Sequence, residues 1–196
     1  MALLIAGLLL FLGIHSVAIV AAPSRERAIA RLGANGWRGL YSLVSAAGLA
    51  LIVIGFAAAR RAPVVLYVPP AWLHWLAIVL MLPVFTLLLA AYLPGRIQRT
   101  LRHPMLAGVK LWATAHLLAN GTLADLLLFG AFLAWAVLDR ISLKRRIPKA
   151  VPGAPPRPWN DALAIVLGLL LYVVAVLWLH RALFGVAPLA GLLPGA

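Results

Sequence analysis

The residues of this 196-residue chain whose types and positions suit chemistry are five histidines, His15, His74, His103, His116 and His180, together with Lys110. His15 and His116 sit inside long apolar runs, where polar groups are expensive and usually serve a function. His74, His103 and His180 lie near the ends of such runs, where an imidazole can reach lipid headgroups. Lys110 shares the apolar run of His116 and follows His103 by two helical turns. A snorkelling ammonium explains it equally well. Each inner histidine reads either as a core residue bonded to a neighbouring helix or as a metal ligand. Their depths favour a pair. His15 lies about 10 Å above the cytoplasmic end of its run and His116 about 17 Å above the start of its own, at about 1.5 Å per residue. Two histidines at similar depth on facing helices can bind the two sides of a haem iron. Met105, Gly108, Trp112, His116 and Asn120 recur at three- and four-residue spacing and so line one helix stripe. Ala115 and Ala119 flank it. Gly108 leaves room for a planar group or for close helix packing, the use small residues more commonly serve in membranes.

The elements that carry these residues follow from composition. Hydrophobic residues make up 65% of the chain, charged residues 11%, and mean hydropathy is +1.05. A soluble domain averages about 25% charged, so an ordinary soluble enzyme is excluded. Cysteine is absent, which removes disulfides, thiolate-ligated haem, c-type haem attachment and cysteine zinc sites. Six apolar runs, about 2–22, 39–59, 71–93, 105–119, 122–139 and 161–180, approach the roughly 20 residues a spanning helix needs. Lipid leaves only helices or closed barrels, and the runs lack period-2 alternation. The expectation is an all-α polytopic membrane bundle of about six spans, the fourth short, forming a single domain over residues 1–196. The first run lacks a basic start and reads as a retained span rather than a signal peptide.

The net charge is +13, yet the cations sit in short clusters between apolar runs, with no basic stripe interleaved with stacking aromatics. Nucleic acid is therefore not the expected partner; anionic lipid headgroups are. Thirteen basic residues fall in the odd-numbered loops and three in the even loops and tail. By the positive-inside rule this places both termini in the periplasm and residues 140–160 in the cytoplasm of a bacterial inner membrane. Between Arg140 and Trp159, five prolines and six cations mark a solvated linker. Asn120-Gly121 is a turn pair, Thr122 and Asp125 have capping-box spacing, and Pro104 suits the first turn of the fourth helix. Tyr67, Trp72 and Trp75 form an interfacial belt.

The string RHPMLAGVKLWATAHLLANG at residues 102–121 resembles the NnrU family of bacterial membrane proteins. LGIHSV around His15, RLGANGWRGLYSLVSAAGL after the first run and LHRALFGVAPL near the C-terminus extend the resemblance over nearly the whole chain. The family takes its name from an association with nitrite and nitric oxide reduction in denitrifiers. It is similar to the plant zeta-carotene isomerases, membrane enzymes that use haem b with histidine ligands. The resemblance implies haem b, with His15 and His116 at the ligand positions and His103 at a further family histidine. Trp112, Gly108 and Lys110 would complete the cofactor surroundings, His103 and Lys110 facing an anionic group such as a propionate. It also implies a small-molecule or redox partner and leaves the oligomeric state open. RHPMLAG is similar, too, to an element of isoprenylcysteine methyltransferase-like enzymes that use S-adenosylmethionine. Leu106 stands where their tyrosine would be, and their paired glutamates are missing. Two further readings thus accompany the haem protein: a membrane methyltransferase and a non-enzymatic assembly or regulatory factor.

Overall fold

The computed structural model describes residues 1–145 and 153–190. Arg146, Pro148, Lys149 and Pro152, counted above in the basic linker, lie outside the described residues. In chain order the helices are α1 (Ala2–Val20), α2 (Ala22–Ala59), α3 (Ala71–Met81), α4 (Val84–Ala90), α5 (Arg96–Leu101), α6 (Pro104–Ala119), α7 (Leu123–Ser142), α8 (Asn160–Val174) and α9 (His180–Phe184). A π-helical turn, Ala175–Leu179, joins α8 to α9. Among the described residues there is no strand, only one antiparallel bridge between Val65 and Thr122. The all-helical expectation holds.

Among the described residues, four helical stretches are long and apolar enough to cross a membrane: Ala2–Val20, Ala22–Ala59, Ala71–Ala90 and Asn160–Phe184. Six were expected. The 16 residues of α6 reach only about 24 Å. The 20 residues of α7 include Asp125, Asp139 and Arg140, which raises the transfer cost of the segment. Outward faces of the long helices are strongly apolar, with Leu9 72%, Val166 63% and Leu177 68% exposed. Such surfaces belong against acyl chains.

Two local differences from the sequence reading have simple causes. Residues 23–32, assigned to a loop by their charge, are helical, because Ala- and Arg-rich sequence is a good helix former and Pro23 sits at the helix start. The break comes at Gly33 (φ 73°, ψ 166°), a conformation open to glycine. The run 71–93 is interrupted between Met81 and Val84, where Pro83 removes a backbone donor and crowds the preceding turn.

The chain divides into two compact units, Met1–Tyr67 with Gly121–Arg146, and Val68–Asn120 with Ile147–Ala196. In the first, α1 and α2 form the most extensive helix pair and α7 packs on α1. Their approach depends on glycine. A Cβ at Gly48 would lie 2.7 Å from the Phe11 nitrogen, and one at Gly55 would run into the Leu4 nitrogen. Backbone thus meets backbone, as in small-residue packing of membrane helices. Helix α7 begins with the expected capping box: Thr122 Oγ1 accepts from the Asp125 nitrogen (3.2 Å), and Asp125 Oδ2 accepts from the Thr122 nitrogen (3.1 Å). In the second unit α4 packs against both α6 and α8, and α3 against α6. Asp161 at the start of α8 accepts from the Arg96 (2.7 Å) and Ile97 (3.1 Å) nitrogens. That bond satisfies donors at the N-terminus of α5 that the helix leaves open. Tyr172 donates its hydroxyl proton to the Ile78 carbonyl (2.9 Å), tying α8 to α3.

Candidate metal centre

His15 lies on α1 in the first unit. Its Nδ1 is 2.7 Å from the Phe11 carbonyl oxygen, one turn back on the same helix. A carbonyl only accepts, so Nδ1 carries the proton and Nε2 holds the lone pair in the neutral ring. Aromatic rings enclose the imidazole. Phe11 stacks at 4.2 Å between centroids, Tyr41 of α2 lies at 5.1 Å, and Trp135 of α7 meets it edge-on at 6.0 Å. The Trp135 Nε1 and the Ser45 Oγ are buried without a hydrogen-bond partner. Buried donors are nearly always paired, so an unpaired indole N–H beside an imidazole suits an incoming acceptor.

His116 lies in the last turn of α6, in the second unit. Its Nδ1 is 2.9 Å from the Trp112 carbonyl oxygen, which again places the ring proton on Nδ1. The Trp112 indole lies 5.4 Å from the imidazole, so these two residues of the stripe do cluster. Asn120 donates from Nδ2 to the His116 carbonyl at 2.9 Å. On α9 the His180 ring lies with its centroid 6.4 Å from that of His116 and its plane inclined by 26°. His180 repeats the anchoring: its Nδ1 is 2.7 Å from the Val186 carbonyl. His15 belongs to the first unit and His116 to the second.

The other expected positions spread along α6. His103 is the residue before the helix, Pro104 its first residue, and Arg102 takes a left-handed φ of 62°, uncommon outside glycine. Lys110 is half-buried in mid-helix. Gly108 is buried against α4: a Cβ there would sit 3.4 Å from Leu87 Cβ, Leu88 Cδ2 and the Val84 carbonyl. Its small size therefore serves a helix contact with α4, one of the two uses expected of it. His74 is half-buried on α3.

Among the described residues no three His, Asp or Glu side chains gather as ligands for a bare metal ion. Haem iron asks less of the protein, since the porphyrin occupies four positions and one or two axial ligands suffice. Sequence reasoning missed Trp135 and Tyr41 as neighbours of His15, and His180 as the neighbour of His116. The signal for His180 was present in Gly185, five residues on, which closes α9 in the left-handed conformation (φ 69°). Glycine is the usual residue at such helix ends, and the turn it makes returns the Val186 carbonyl to the imidazole.

No curated protein and no solved structure matches the chain. The NnrU family model, described as NnrU protein, matches residues 3–188. That match takes in all the histidines and both units, and the protein belongs to the NnrU family.

Proposed function

We propose that this protein is a multi-pass membrane protein that binds haem b through histidines of its helix bundle, in support of nitrite and nitric oxide reduction. The observation that carries the reading is the shared anchoring of His15 and His116. In each, Nδ1 is held by a backbone carbonyl one turn back, at 2.7 and 2.9 Å. Metal-ligating histidines almost always donate their second ring nitrogen in this way, which fixes the tautomer and the ring orientation. Haem, when bound, supplies one-electron chemistry and a site for a small ligand at iron. The chain's contribution is to present Nε2 lone pairs from His15 and His116, to exclude water with Phe11, Tyr41 and Trp112, and to offer the Trp135 N–H as a hydrogen-bond donor beside His15. His103 and Lys110 are proposed to meet the anionic edge of the cofactor. The nitrogen-oxide role rests on the association that gives the family its name.

The same proposal includes six crossings of a bacterial inner membrane, with α6 and α7 as the two less apolar ones and both termini periplasmic. The thirteen-to-three division of basic residues between alternate loops supports it. Reporter fusions at the C-terminus and within residues 140–160 test it; a C-terminal reporter active in the cytoplasm would exclude it. An absorbance spectrum of the detergent-purified protein tests the cofactor. The expected result is a Soret band that His15→Ala or His116→Ala alters and His74→Ala leaves unchanged. A colourless protein that binds S-adenosylmethionine would establish the methyltransferase reading instead, and one that binds neither would point to an assembly or regulatory factor.

A further inference from the structure

We infer that residues 22–32, the charged first part of α2, form a phospholipid site at the membrane surface, where Arg27 and Arg31 hold the phosphate of an anionic lipid and Ala28 and Leu32 lie against its acyl chain. The site rests on the membrane reading above and is independent of haem.

In the first unit α1 and α2 run antiparallel. Leu4 meets Gly55, Phe11 meets Gly48, and the His15 ring lies 5.1 Å from that of Tyr41. The stretch between Val20 and Trp37 therefore joins the two helices at one end of the pair. Both helices are long and apolar enough to cross a membrane, so that end belongs at the lipid–water boundary. Backbone breaks set the segment apart there. Ala21 leaves helical geometry on one side (φ −139°, ψ 43°) and Gly33 on the other (φ 73°, ψ 166°). Residues 22–32 reach only about 16 Å as a helix, too little to cross the hydrocarbon. Half-buried Trp37 follows the second break, and tryptophan favours headgroup depth.

Charge in this segment lacks a counter-charge. Arg27 and Arg31 are exposed and stand four residues apart, which makes them neighbours on one face, where like charges repel. Glu26 is the only acid among residues 22–32. Its own neighbours at three and four residues are Ala22, Pro23, Ile29 and Ala30, so it faces neither arginine. The Arg27 guanidinium donates instead to neutral oxygens, the Ser24 hydroxyl at 3.1 Å and the Pro23 carbonyl at 3.4 Å.

The same face is shaped for an amphiphile. Ser24, Arg27, Ala28, Arg31 and Leu32 line an open groove of about 400 Å³. Their three- and four-residue spacing puts two guanidinium groups, a hydroxyl and two apolar side chains on one stripe, and Leu32 is 52% exposed. Interfacial amphipathic helices combine arginine and leucine in this way. Guanidinium groups bind phosphate oxygens through paired N–H donors, and a phosphate between the two relieves their repulsion. The apolar side chains ask for more than a free phosphate. A zwitterionic headgroup would bring an ammonium towards the arginines, which leaves a net-negative phospholipid as the occupant.

The test uses full-length protein in a neutral maltoside detergent. It is titrated with phosphatidylglycerol, with phosphatidylcholine of the same chains and with inorganic phosphate. Native mass spectrometry reads bound lipid, and circular dichroism reads folding and thermal stability. Wild type is compared with Arg27→Gln/Arg31→Gln and with Arg25→Gln/Arg38→Gln. Each double variant removes two cations from the same connection, but Arg25 and Arg38 do not line the groove. Phosphatidylglycerol is expected to bind and stabilise wild type, and the other two probes are not. Loss of charge-assisted hydrogen bonds should weaken binding about 10-fold or more in the first double variant. The second should lose less than about five-fold, the share of diffuse attraction. Equal losses in the two would overturn the site, as would a first double variant that binds like wild type. Phosphatidylcholine bound as tightly as phosphatidylglycerol would overturn the charge argument, and inorganic phosphate that stabilises wild type as well as the lipid does would overturn a lipid occupant. Release of the wild-type protein from membranes by alkaline carbonate would overturn the membrane reading and the site with it.

Discussion

Replacing Trp135 by phenylalanine should change sign of effect depending on whether the first unit is loaded. In the unloaded protein the indole Nε1 is buried with no partner. An unsatisfied buried donor is a penalty of about 1–3 kcal/mol, which phenylalanine removes. The substitution also takes away about 40 Å³ of side chain, and at about 24 cal/mol per Å³ the residual cavity destabilises by about 1 kcal/mol. The balance lies between neutral and about 2 kcal/mol in favour of the variant, a melting temperature unchanged or raised by up to about 8 °C for a chain of this length. In the haem-loaded protein the N–H is proposed to have an acceptor beside His15. Its loss should then weaken the complex by about 1–3 kcal/mol, roughly 5- to 150-fold in dissociation constant. Thermal unfolding by far-ultraviolet circular dichroism, with and without haemin, and a haemin titration measure both arms. A fall of more than about 3 °C in the haem-free variant would show that the indole is held by something other than packing. Equal haemin affinity would show that its N–H meets no bound group.

Three further substitutions probe other parts of the argument. Gly55→Leu should force α1 and α2 apart at Leu4, an overpacking of about 1–3 kcal/mol, and broaden the size-exclusion peak, whereas Gly13→Leu, with nothing within 4 Å of its Cβ position, should behave as wild type; equal behaviour would refute the glycine-mediated contact. Thr122→Ala should lower stability by about 1 kcal/mol through loss of the α7 cap, and Thr122→Ser should restore it; hydrogen exchange at the Asp125 amide reports this directly, and unchanged protection in the alanine variant would refute the cap. Lys110→Met should shorten haem retention during dialysis if the ammonium meets a propionate, and unchanged retention would leave it a snorkelling side chain.

Much of the local structure was legible because it is decided within a few residues. The apolar runs required helices, since lipid supplies no partners for an open backbone. Pro104 opened α6, and Thr122 with Asp125 capped α7, through contacts three residues apart. Pro83 and Gly33 are equally local features, but a reading of continuous apolar runs passed over both: the first splits a run by removing a donor, and the second bends α2 through a conformation that side chains disfavour. The family, too, was carried by strings in the chain itself. The sites are another matter. His15 and His116 stood out because an imidazole in an apolar run is expensive wherever the helices go. Their neighbours did not, because hydropathy says that a face is buried without saying against which helix. Gly108 suited a planar group or a close helix contact alike, and only the packing of α4 shows which helix comes close to it. His180 looked like an interfacial residue at a helix end. Only the fold shows its ring 6.4 Å from that of His116, just after a π-helical turn that a 3.6-residue period does not reveal. Contacts between residues 64 positions apart are set by how whole helices pack and by where one extra residue is inserted. Apolar periodicity in a uniformly apolar chain carries almost no information about either.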